Sequence, residues 1–296
     1  MPSSKNSTNR DSVREALRAR PKRGRVNLGA IDASETNGVK RRWADEHTLA
    51  NEEHVMQLQD RLHAEAKRSV LIVLQGMDTS GKDGTVRYAL RGLNPQGVRI
   101  VSFKAPTAEE RRHNFLWRIK RALPRPGEIV IFNRSHYEDV LIARVKGLVS
   151  PAVIQKRYAI INRFEAAVAK KGTAIVKLYL HISEEEQRKR LVGRLNDPDK
   201  HWKFSDGDIK ERAYWDAYQQ AYAIAIGRCS PAASPWYVIP ANRKWYRNWA
   251  VTQILIEEME AMNLTYPNPK LDTRALKRSL SSNADKAARQ RVKKAA

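Results

Sequence analysis

Cysteine is almost absent from the 296 residues, and Cys229 stands alone. No internal disulfide can form, and no cysteine-based zinc cluster exists. The seven histidines never fall at i, i+4, so the paired spacing of a helical metal site is missing too. The first ten residues are polar and lack an apolar core segment, so no secretory leader is expected. No apolar stretch approaches the ~20 residues that span a bilayer. A cytoplasmic protein with no membrane partner is the expectation. Acids are scarce as well: 32 Asp and Glu against 55 Lys and Arg give a formal net charge of +23. That surplus implies a polyanionic partner: nucleic acid, anionic lipid or a long phosphate chain. No nucleic-acid-binding module is recognisable, so nucleic acid is not the expected partner.

The charge is uneven. Residues 1–30 and 271–296 each carry eight basic and two acidic residues, net +6 apiece. Both read as basic flexible tails. Between them, 31–270 reads as a single domain, with 42% hydrophobic content in the whole chain to build its core.

What is present centres on Ser69 to Gly84. Val70 to Leu74 is an unbroken apolar run of branched residues, as in a strand buried on both faces. It breaks into Gly76-Met77-Asp78-Thr79-Ser80-Gly81-Lys82-Asp83-Gly84, and Val86 to Arg91 then reads as a helix. Strand, G-x-x-x-x-G-K and helix together describe a phosphate-binding loop (P-loop). The glycines let backbone N–H groups converge on an anion, the helix N-terminus adds partial positive charge, and Lys82 adds a full one. Two departures stand out. Asp83 occupies the place of the usual Ser or Thr, and a second acid, Asp78, sits inside the loop. An acid there repels phosphate unless a cation lies between them, so Asp78 is a candidate Mg²⁺ ligand or base.

Four further strands are expected, over 97–103, 128–132, 173–182 and 236–240. Helices are expected over 47–68, 108–122, 151–171, from Ser183 onward, 208–226 and 244–262, with capping boxes at Thr107/Glu110 and Ser183/Glu186. Strands alternating with helices predict an α/β fold: a doubly wound, five-stranded parallel sheet. Polar residues Asn133 to Asp139 crowd the end of the third strand, where ligands sit in such sheets. Arg190 and Arg194, like Arg87 and Arg91, repeat a like charge at i, i+4, which an intervening anion would relieve. Lys104 is a candidate phosphate or nucleotide contact, and Glu138 and Asp139 are candidates for a second Mg²⁺ or the nucleotide, with an ordinary helix first turn as the plain alternative for the two acids. His136 reads as structural and Cys229 as inert.

The pattern resembles the polyphosphate kinase 2 family, whose fold is that of P-loop nucleotide kinases. The resemblance rests on Gly76-Met77-Asp78, Gly81 to Thr85, Ile131 to Leu141, Arg190-Leu191, Asp197-Pro198, Lys200, Trp202-Lys203 and Trp236 to Asn242, in that order across about residues 45 to 265. It implies Mg²⁺-dependent, reversible transfer of the terminal phosphoryl group of inorganic polyphosphate to AMP or ADP, giving ADP or ATP. It implies catalytic roles for Asp78, Lys82 and Arg134, with Asp78 on the metal. Phosphate would be held by Gly76, Thr79, Ser80, Gly81, Lys82, Asp83 and Gly84, and by Arg190, Arg194 and Lys203 of a helical basic lid over about 183–215. Nucleotide would be held by Arg87, Arg91, Lys104, Asn133, Arg134, Glu138 and Asp139. A homo-oligomer, dimer or tetramer, is implied too. Asn133 departs from the aspartate that many members carry, which leaves the metal to Asp78 and phosphate oxygens. Two other readings remain: an ATP-dependent nucleoside monophosphate kinase, and a basic nucleic-acid-binding protein.

Overall fold

In the computed structural model of the chain, residues 12–281 are described. Five strands form, β1 (Ser69–Gln75), β2 (Val98–Ser102), β3 (Ile129–Asn133), β4 (Thr173–His181) and β5 (Trp236–Pro240). All pair in parallel, in the order β2-β3-β1-β4-β5. The apolar run of β1 lies between two neighbours and is buried at every residue. Because every strand points the same way, all five carboxyl ends meet at one edge.

Helices fill the connections: α1 (Val13–Leu17), α2 (Arg41–Glu65), α3 (Lys82–Gly84), α4 (Trp117–Arg121), α5 (Glu138–Val145), α6 (Pro151–Lys170), α7 (Glu184–Leu195), α8 (Asp206–Arg212), α9 (Trp215–Arg228) and α10 (Lys244–Ala261). α2 packs along α10, and α5 packs on α6 and α9. These two groups cover the sheet, which is why its central strand tolerates no polar face. Local chemistry sets the boundaries. Ser150 caps α6 from its side chain, with Pro151 at the first helical position. α2 ends at Ala66, which adopts a left-handed conformation with φ of 50°.

Several expectations change. The stretch 12–30 is packed, not a loose tail: Leu17, Ala19, Val26 and Leu28 are buried, and Ala19 N–H donates to Trp236 O of β5. The backbone N–H groups of Val13 and Arg14 also bond the Glu257 carboxylate of α10. Its apolar residues are few and spaced, so composition alone does not reveal that the segment packs. Residues 1–11 and 282–296, the outer parts of both expected tails, lie outside the described residues. The helix after the loop is brief: α3 gives way to a π-helical turn over Thr85–Ala89. The 108–122 helix is only a turn at Glu110–Arg112 plus α4, although the Thr107/Glu110 box forms. The 208–226 helix is two, broken at Ala213 and Tyr214. The Ser183/Glu186 box is half made. Ser183 caps Glu186 N–H, but the Glu186 carboxylate turns to Arg190 and Asn242 meets Ser183 N–H.

A second unit begins at Tyr266; its helix α11 (Thr273–Ser281) exposes Leu276 and Leu280. No described helix is long and apolar enough to cross a membrane.

Candidate active site

The loop leaves β1 through Gly76, at φ +156°, where a Cβ would lie 2.6 Å from Ser80 Oγ and 2.8 Å from Leu180 O. Only glycine fits that approach. Gly81 turns the chain at φ +102°, and Thr79 between them also takes a positive φ of 63°. A non-glycine residue held there is the kind of strain that functional loops store. The buried hydroxyls of Thr79 and Ser80 have no protein partner. Lys82 folds back and donates to Gly76 O at 2.8 Å and Met77 O at 3.1 Å. Burial pulls its ammonium below the usual lysine range, opposed by the nearby Asp78 carboxylate. Unspent hydroxyls and a lysine resting on carbonyls describe a cradle able to take an anion.

Across the loop stands the end of β3. Arg134, at φ +64°, forms an ion pair with Asp78 Oδ1 at 3.1 Å. Asp78 Oδ2 meets no donor among the described residues. Asn133 donates to Asp83 Oδ1 at 2.8 Å, so the amide that replaces an aspartate is bound to the acid that replaces a hydroxyl. Two departures that looked independent are one contact. An aspartate at 133 would set two carboxylates against each other.

These groups open on a cleft of about 1110 Å³. Its wall includes Asp78, Thr79, Gly81, Lys82, Asp83, Gly84, Lys104, Asn133, Arg134, Arg190, Arg194 and Lys203, which the structure therefore brings together. Ten cationic side chains line it against four carboxylates, so the cleft suits a ligand of several negative charges. Gly76 and Ser80 shape the loop from beneath and do not line this cleft. Glu138 lines a smaller pocket of about 270 Å³ behind Arg134, beside Tyr218 and Tyr222. Burial there pushes its carboxyl up, against the opposing pull of Arg134 and Lys82.

Three candidates point elsewhere. Arg91 pairs with Glu52 of α2 at 2.7 Å and is not on the cleft wall. Arg87 is not on the wall either, though it lies over the ring of Tyr88, which is. Asp139 faces Arg157, which also donates to its backbone oxygen at 2.6 Å. Arg190 lines the cleft but is spent on structure. Its guanidinium donates to Glu186 and to the carbonyls of Thr79, Ser80, Ala241 and Asn242. It ties the loop to the end of β5, and offers the ligand field strength rather than a free N–H.

Sequence reasoning missed Lys244 and Arg247 of α10, which line the wall beyond the loop. The signal was available: two cations at i, i+3 on the helix that follows β5, at the sheet's carboxyl edge. It also missed the sealed network under β3. Glu165 accepts from His136 at 3.1 Å, Tyr137 at 2.8 Å and Lys177 at 2.5 Å, all four being 2% exposed or less. Among the described residues, no group of three or more His, Cys, Asp and Glu is arranged to hold a metal.

The polyphosphate kinase 2 pattern matches residues 39–267. The chain belongs to the polyphosphate kinase 2 family. It is 49% identical over 249 residues to the AMP/ADP-polyphosphate phosphotransferase of Meiothermus ruber, covering 83% of this chain and 93% of that one. It is 44% identical over 227 residues to the ADP-polyphosphate phosphotransferase of Rhodopseudomonas palustris, covering 73% and 78%. The crystal structure of polyphosphate kinase 2 from Arthrobacter aurescens TC1 superposes with a TM-score of 0.87 at 42% identity, over 91% of this chain and 96% of that one.

Proposed function

We propose that this family member transfers the terminal phosphoryl group of inorganic polyphosphate to AMP and ADP, reversibly. The observation that carries this is the acid-bearing loop, Asp78 facing Arg134, at the head of a cleft with ten cations. Phosphoryl transfer asks a protein for alignment and charge stabilisation more than for covalent help. An oxygen of the acceptor's terminal phosphate attacks the end phosphorus of the donor. The bond from that phosphorus to its bridging oxygen breaks, and the shortened chain leaves with the electron pair. Lys82, released from Gly76 O and Met77 O, follows the phosphates of the loop. Arg134 spans the two substrates because it already reaches across to Asp78. Its planar fork suits the three oxygens of the moving group. No protein base is required, since the attacking phosphate oxygen is already anionic.

The residues fit Mg²⁺. Asp78 offers a free hard oxygen into the cleft, and the absence of a full protein cage suits an ion that keeps phosphate and water ligands. Bound there by Asp78, with Asp83 nearby, it would neutralise the charge of facing phosphates. Arg194 and Lys203, on the α7–α8 side, would close over the donor as a basic lid.

The assay is a donor swap. Protein, Mg²⁺ and polyphosphate with AMP or ADP are expected to yield ADP or ATP. Product with ATP as sole donor and none with polyphosphate would overturn the proposal in favour of a nucleoside monophosphate kinase.

A further inference from the structure

Arg247 is one of several cleft cations to which the proposed transfer assigns no role. It is 2% exposed, on the first turn of α10. Its one acceptor is the neighbouring Asn248 side-chain oxygen, 3.1 Å from Nε and 2.7 Å from Nη2. Among the described residues it has no ion-pair partner, and Nη1 has no acceptor at all. Nη1 rests against the turn of the loop: a Cβ on Gly81 would fall 1.9 Å from it. A Cβ on Gly84 would lie 3.2 Å from Nη2. Two loop glycines therefore leave the space that this guanidinium fills.

Its surroundings add positive charge. Lys244 lies one turn earlier on the same wall, and Arg190 sits beside both. Burial first, and then Arg190, lower the Arg247 guanidinium to about 10, so it stays charged at neutral pH. Glu186, the carboxylate whose charge acts on Lys244, is occupied by Arg190 at 2.7 Å. A buried cation without a counter-charge costs stability. Such a cost is retained where a ligand offsets it.

Direction follows from the sheet. β1 lies between β3 and β4, so Arg134 flanks the loop on one side and α10 flanks it on the other. We propose that Arg247 and Lys244 form a distal phosphate subsite, which grips the donor chain beyond the phosphates held by the loop and makes donor length a determinant of turnover. This rests on the polyphosphate reading above.

The test is Arg247→Met, assayed with long-chain polyphosphate and with tripolyphosphate, ADP being the acceptor. Loss of a charge-assisted contact predicts a donor KM raised about tenfold or more, with the KM for ADP little changed. The advantage of the long chain over tripolyphosphate shrinks. Arg247→Lys recovers part of the donor KM. The melting temperature of the ligand-free variant holds or rises, because an uncompensated buried charge is gone, whereas a purely structural arginine would lower it. An unchanged donor KM overturns the subsite. So does a fall in melting temperature with both KM values rising together. If the wild type turns over no polyphosphate, the proposed function fails instead. The subsite is then read from melting alone: tripolyphosphate is expected to stabilise the wild type more than Arg247→Met, and equal shifts overturn it.

Discussion

Replacing Lys177 by methionine strips the lysine from a network sealed beneath the carboxyl end of β3. Lys177 is fully buried, and its ammonium contacts Glu165 at 2.5 Å, Cys229 O at 2.7 Å and Tyr137 OH at 3.3 Å. Methionine fills much of the same volume, so the cost is mainly electrostatic: Glu165, 1% exposed, keeps only His136 and Tyr137. Removing one partner of a buried pair costs about 3–5 kcal/mol. For a chain this long the unfolding entropy is roughly 0.6 kcal/mol per kelvin, so melting falls by about 5–8 °C. The pH dependence is the sharper readout. Burial pushes the wild-type Glu165 carboxyl up, but Lys177 and His136 pull harder and leave it below the usual glutamate value of 4.5. Its contribution is then complete above 4.5 and is lost as pH falls through the folded value. Without Lys177, burial dominates and the folded value rises above the unfolded one. The variant then regains stability, relative to the wild type, as pH is lowered towards 5. Thermal melts of both proteins between about pH 5 and 8 decide it. A loss under 2 °C, or a gap between the two proteins that does not narrow on acidification, would refute the reasoning. Lys177→Met/Glu165→Gln is expected to recover most of the loss, since the amide oxygen still serves His136 and Tyr137.

Other outcomes are expected from the loop and its neighbours. Lys82→Ala and Asp78→Asn each lose several kcal/mol of transition-state stabilisation, roughly hundreds-fold in steady-state rate, with melting little affected. Gly81→Ala places a methyl where Arg247 Nη1 lies and forces a side chain onto φ +102°. The expected loss is about 1–3 kcal/mol in denaturant unfolding, plus an effect on donor KM that does not add to that of Arg247→Met. Asn133→Asp sets a carboxylate against Asp83, whose oxygen is 2.8 Å from the present amide. That variant melts lower than wild type without divalent ions, and Mg²⁺ narrows the gap; a gap indifferent to Mg²⁺ would count against a metal at this edge. Deleting residues 1–30 exposes the surface under Leu17, Ala19, Val26 and Leu28, and the shortened chain is expected to melt well below the parent.

The sheet was legible because its strands are short apolar runs closed by glycine, proline or polar residues, and period and punctuation are local properties. β5 begins and ends where the sequence places it, at Trp236 and Pro240. The P-loop was legible for the same reason: strand, glycines, lysine and helix start lie within sixteen residues, Ser69 to Gly84. α5 was not read as a helix of its own, since Glu138 to Val145 is short and follows the polar end of β3.

What the linear order determined was therefore the five strands, the loop and the sign of its ligand. Chain folding alone decided which of many basic residues serve it. Arg91 faces Glu52 across 39 positions, Arg190 is consumed by four carbonyls, and Arg247 reaches the loop from 166 residues away. A side chain's charge is written in its type, but whether that charge is spent depends on partners that only the packed sheet and helices bring within hydrogen-bond reach.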